Sequence, residues 1–168
     1  MFQIILMAPL VLATISFAII AHETAHITVG WILRLPFESF KVFDLGNMAP
    51  TVRWDVTEGS TQLTVTHWAG GLGGATLAAI VYVGARYRMP DGLLRQSILL
   101  TASALLGWQV SQSVLEGAFH HAYITGANGK NLWVAGTQLV ALPLGIIVVA
   151  GFVWFISKIR DGTAEFRI

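Results

Sequence analysis

The chain has 168 residues, 55% of them apolar and only 11% charged, with a formal net charge of +1 and no cysteine. A soluble globular domain carries roughly 25% charged residues, so this chain lacks the polar surface that water demands. It reads as one integral membrane domain over residues 1–168. Disulfides, thiolate ligands and cysteine-held clusters are excluded, and no basic cluster suggests a nucleic-acid partner.

In chain order, the predicted fold is an all-α membrane protein with four transmembrane helices, at about 3–33, 63–84, 97–124 and 131–157. The first apolar run is long. As one helix it spans about 45 Å, more than a hydrocarbon core of roughly 30 Å, so it tilts or projects from one face. It has no basic start and no clear small-residue cleavage site, and is expected to remain in the mature chain. The loop 34–62 holds "FESFKVFDL" and "TVRWDV", which read as short strands around the turn-prone "GNMAP". "TQLTVT" is either a further strand or the start of the second span. A small β-hairpin or sheet at the membrane surface is the expectation. The second span carries "AGGLGGATLAA", with Gly70, Gly74 and Ala78 at a spacing that permits close helix packing. Pro143 lies inside the fourth run and should kink it. Trp133 and Trp154 near its ends suit interfacial anchors.

The inter-span loop "GARYRMPDGLLRQ" has Arg86, Arg88 and Arg95 against one Asp91, and the tail carries Lys158, Arg160 and Arg167. Both should be cytoplasmic by the positive-inside tendency, which also places the N-terminus there. The expected location is an integral, multi-pass one in the lipid bilayer.

One stretch breaks the apolar pattern. "FAIIAHETAHITVGWI", residues 17–32, puts His22, Glu23 and His26 in the first span. Residues four apart share a helix face. This is the HExxH arrangement, in which two imidazoles bind zinc and the glutamate is general base toward the water that the metal activates. The bland alternative is interhelical hydrogen bonding, but ionisable groups in a membrane segment are costly and usually mark function. A catalytic zinc wants a third protein ligand and an open position. The third span supplies a polar stripe of Gln109, Gln112, Glu116 and His120, spaced three, four and four apart, with His121 beside it. Counted from the inner side, His22 lies about 30 Å along the first span. Glu116 and His120 lie about 29 and 35 Å along the third. The two polar groups arrive at similar height. Either Glu116 or His120 would complete the ligand set, with the other placed beside it to orient a ligand or substrate. Gln112, His121 and His67 are candidates for such supporting contacts, although interfacial hydrogen bonding suits His67 better than ligation. The expected cofactor is one zinc per chain, with iron or another first-row metal compatible with the donors.

These features together resemble the site-2 protease family of intramembrane zinc metalloproteases. The likeness rests on the early transmembrane "HETAH", the strand-bearing loop and the small-residue helix "THWAGGLGGATLAAIV", and would cover residues 3–124. The resemblance implies that His22 and His26 are the first two zinc ligands. It also implies that Glu23 is the general base and protonates the leaving amine. The family's third ligand is an aspartate in an Asp-Gly pair on the third core helix. Here Asp91-Gly92 in "MPDGLL" falls in the inner loop of the expected topology, far from His22, so either that topology fails and Asp91 is the ligand, or Glu116 or His120 takes that place, as the depth count favours. The implied substrate is a membrane protein or peptide, unwound and held by added-strand pairing on the 35–60 sheet. Two other readings fit the same residues. One is a metal-binding, non-catalytic subunit among other membrane subunits. The other is a metal-dependent membrane oxidase or hydrolase acting on lipid.

Overall fold

A computed structural model of the chain describes residues 2–44, 49–56, 60–119 and 132–160. Among them the order is helix α1 (Phe2–Ile32), strands β1 (Phe37–Asp44) and β2 (Ala49–Trp54), then helices α2 (Thr61–Arg88), α3 (Leu93–Ala118) and α4 (Leu132–Arg160). Four of the described helices are long and apolar enough to cross a membrane. The expected fold class therefore stands: an α-helical membrane bundle with a small antiparallel hairpin between the first two helices.

α1 runs unbroken through Pro9 for 31 residues, about 46 Å. It ends because Arg34 adopts a left-handed backbone at φ 57°. The Leu35 amide then donates to the Gly30 carbonyl at 2.9 Å and the Arg34 amide to that of Trp31 at 3.0 Å. These are the paired bonds of a Schellman cap, which satisfies carbonyls that the helix end would otherwise orphan. Leu35 is buried beneath the cap.

The hairpin is tied to this end of α1. The Asp55 amide donates to the Pro36 carbonyl at 2.9 Å, and the Phe37 and Trp54 rings meet edge to face at 5.6 Å. The Trp54 ring occupies the space that any side chain on Gly30 would fill. Ala49 and Pro50, expected in the turn, belong to β2. "TQLTVT" is the first turns of α2, not a strand. Ser60 caps it by accepting from the Leu63 amide at 3.2 Å, which satisfies one free helical donor.

α3 packs against the three other described helices, α1, α2 and α4. With lipid on the outside there is little hydrophobic gain in helix association, so close backbone approach and buried hydrogen bonds carry the packing. A Cβ on Gly71 would collide with the α3 backbone at Gln109 and Ser113, and one on Gly145 with the Gly107 carbonyl. Ser111 shares its hydroxyl between the Gly107 carbonyl of its own helix (2.9 Å) and the Ala141 carbonyl of α4 (3.0 Å). Ser113 donates to the Trp68 carbonyl of α2 at 2.7 Å. Apolar packing of Ala78, Leu106, Tyr82, Ala102 and Ile156 fills the rest of the α2–α3–α4 contact. α3 starts at Leu93, four residues before the expected 97. It stops at Ala118, short of the expected 124, with the Phe119 amide closing onto the Leu115 carbonyl.

Candidate metal centre

α1 turns His22 and His26 inward one helical turn apart, their ring centroids 4.8 Å from each other. α3 brings Glu116 to them. His22 Nε2 lies 3.2 Å from Glu116 Oε2, His26 Nε2 lies 3.4 Å from it, and the two Nε2 atoms are 3.1 Å apart. His22 is buried; His26 and Glu116 are mostly so, with side chains 12% and 18% exposed.

The opposite ring nitrogens fix how the imidazoles present themselves. His26 Nδ1 lies 2.7 Å from the Thr66 carbonyl, which can only accept, so Nδ1 carries the proton and Nε2 presents a lone pair. His22 Nδ1 lies 2.7 Å from Gln109 Oε1, and donation to that oxygen leaves its Nε2 in the same form. Glu116 Oε2 is buried and has no hydrogen-bond partner among the described residues. With both imidazoles neutral, two lone pairs and a carboxylate oxygen thus converge on one point, an arrangement that a metal ion or a proton between them would satisfy. Tetrahedral zinc at about 2.0–2.1 Å from each donor separates its ligand atoms by about 3.3 Å. The observed triangle of 3.1, 3.2 and 3.4 Å matches that edge. His22, His26 and Glu116 form a cluster able to chelate a metal ion inside a membrane-type helical bundle.

α2 supplies the wall. A Cβ on Gly70 would lie 2.8 Å from His22 Nε2 and closer still to Nε2 and Cε1 of His26. The helix backbone therefore rests directly on the His26 ring. One turn on, a Cβ on Gly74 would strike the Gln109 side chain that holds His22. The glycine run is thus a bearing surface for the two histidines as well as a helix–helix contact. Trp68 fills the place where a side chain on Gly117 would be, directly beside Glu116.

Of the expected residues, His22, His26 and Glu116 meet. Glu23 sits half-buried on the turn between the two histidines. His67 is half-buried on α2, its ring edge to face with that of His26 at 6.4 Å, and it stands outside the chelating trio. Gln109, rather than Gln112 on the same stripe, hydrogen-bonds His22; Gln112 is half-buried. His120 and His121 lie outside the described residues. Asp91 is in the turn between α2 and α3, paired with Arg95, and Glu116 is 25 residues further on, about 37 Å along α3.

Sequence reasoning missed the Thr66 carbonyl and the seat at Gly70. A backbone acceptor leaves no mark in sequence. Gly70 did have one: with Gly74 it repeats the four-residue spacing of His22 and His26. Comparison with family models, with curated proteins and with solved structures finds no match, so what the chain can do rests on the cluster itself.

Proposed function

We propose that the protein is an intramembrane zinc-dependent hydrolase of the site-2 protease type, cutting peptide bonds of membrane substrates. The observation that carries this reading is the triangle of His22, His26 and Glu116 donor atoms, with Glu23 on the helical turn between the two histidines. Zinc fits the donor set of two imidazole nitrogens and one carboxylate oxygen, one ion per chain. Bound there, it would supply a Lewis acid for the scissile carbonyl and make water nucleophilic near neutral pH. The chain's own residues do the rest. Gln109 and the Thr66 carbonyl hold the imidazoles in the ligating tautomer. Glu23 takes the proton from the attacking water and returns it to the leaving amine. The two-stranded sheet leaves an outer edge on each strand, where an unwound substrate segment can pair.

A second reading, a metal-holding subunit of a larger membrane complex, draws on the close cover that the Gly70 backbone gives the two histidines. One experiment separates the two. Wild type and E23Q are purified in detergent, their zinc is counted by elemental mass spectrometry, and both are assayed in liposomes against a set of single-span peptide substrates. The expected result is about one zinc per chain in each, with cleavage lower in E23Q by about 10²–10⁴-fold. Zinc without cleavage in the wild type favours the subunit. Absence of zinc after metal supplementation refutes the zinc hydrolase, and absence of any bound metal refutes both readings.

A further inference from the structure

The hairpin carries a surface feature separate from the metal cluster. Its two strands fall out of step near the end away from the turn. Phe37 pairs with Trp54 and Ser39 with Arg53, so Glu38 is an extra residue on β1. Alternation along an unbroken strand would send Phe37 and Phe40, three apart, to opposite faces. The bulge cancels that offset. Paired residues share a face, and Phe40 pairs with Val52, two residues before Trp54. Phe37, Phe40, Val52 and Trp54 therefore lie on one face, and the edge-to-face contact of the Phe37 and Trp54 rings agrees. Ser39, Lys41 and Arg53 lie on the other, where Lys41 and Arg53 are exposed. The hairpin is thus apolar on one side and polar, with two cations, on the other.

The apolar face is only partly covered. Trp54 is half-buried against Gly30, but Phe37 and Phe40 remain 50% and 42% exposed. Two such rings side by side form an apolar patch that calls for a partner. The surroundings point to lipid. Gly30 belongs to the membrane-spanning stretch Pro9–Ile32, so the face that holds Trp54 is turned toward the span and not away from it. The next two residues of α1, Trp31 and Ile32, are 76% and 71% exposed, so the span has a bare apolar end beside the hairpin. Phe37 follows Ile32 by only five residues, with the capped turn between them, which puts it at the level of the headgroups. Aromatic rings concentrate there. An element that is apolar toward the acyl chains and basic toward water lies in the interface plane, its cations beside the lipid phosphates.

We propose that the hairpin lies flat on the bilayer, with the Phe37, Phe40, Val52 and Trp54 face in the boundary between headgroups and acyl chains and the Lys41 and Arg53 face toward water. The chain has no cysteine, so F40C, K41C, V52C and R53C each give a single site for a nitroxide spin label. The labelled full-length chain is placed in phosphatidylcholine–phosphatidylglycerol vesicles, and its secondary structure is compared with wild type by circular dichroism. Power-saturation electron paramagnetic resonance then compares collisions with oxygen, which concentrates in lipid, and with a nickel chelate, which stays in water. The oxygen-to-nickel ratio should be higher at position 40 than at 41, and higher at 52 than at 53. Labels at 40 and 52 should lie about 5–10 Å into the boundary. The two pairs sit on different strands, so if one variant fails to fold the other pair still decides. Equal ratios within a folded pair overturn the proposal. Labels at 40 and 52 that neither reagent reaches would mean that protein covers the face, and would overturn the lipid assignment.

Discussion

Replacing Gly70 with alanine tests the metal cluster through a residue that ligates nothing. The added methyl would start 2.8 Å from His22 Nε2 and nearer to the His26 ring. Ordinary carbon contacts need about 3.5 Å. The obstruction involves helix backbone on one side and ring atoms on the other, so neither can swing aside as a flexible chain end would. Relief requires the His26 ring, or α2 itself, to retreat by more than about 0.7 Å. Metal donors tolerate about 0.2 Å. Disturbing a group that merely orients a ligand costs 10–100-fold in metal affinity, and G70A displaces a ligand itself, so a loss of at least about a hundredfold is expected. The assay is zinc titration of detergent-purified protein by competition with a chelating dye, beside a thermal melt. G84A is the control, because a Cβ there meets nothing within 4 Å. It should bind zinc as wild type does and be more stable by about 0.5–1 kcal/mol through helix propensity. Wild-type zinc affinity in G70A would refute the claim that α2 seats the histidines.

Three further outcomes follow from the same geometry. H22A and E116Q should lose zinc, while D91A should keep about one ion per chain, read by elemental mass spectrometry; loss in D91A would place the third ligand at the Asp-Gly pair. Q109L removes the acceptor at His22 Nδ1 and should weaken zinc by about 10–100-fold without changing the stoichiometry, read by the same dye competition. R34G relieves a left-handed non-glycine residue in the α1 cap and should stabilise the chain by about 0.5–1 kcal/mol, read as a rise of a few degrees in melting temperature.

Much of this architecture was legible from residue patterns. Long apolar runs have few ways to satisfy their backbone in lipid other than as helices, so the four spans follow from composition and length. The hairpin follows from two alternating segments around a turn-prone "GNMAP". His22 and His26 share a face at any helical spacing of four, and helix rise alone brings Glu116 to the same depth. That depth count distinguished Glu116 from Asp91, which is exposed in the turn at the far end of α3. "TQLTVT" was ambiguous because six residues of mixed threonine and apolar character satisfy a strand pattern as well as a helix start. The Ser60 cap and the continuation into a long helix decided it.

What the chain alone determined, then, was which groups lie on which helix face and at what height, because both are set by local periodicity. Which faces meet is a property of the packed bundle. Gln109 and Gln112 lie on one stripe, yet the rotation of α3 against α1 sends Gln109 to His22. The Thr66 carbonyl reaches His26 only because Gly70, Gly71 and Gly74 let α2 come close enough to touch both the histidines and α3. Glycine spacing announces that a close approach is allowed, but not what approaches. That depends on interhelical contacts between residues up to 94 positions apart, such as His22 and Glu116, and those form only when the helices have packed.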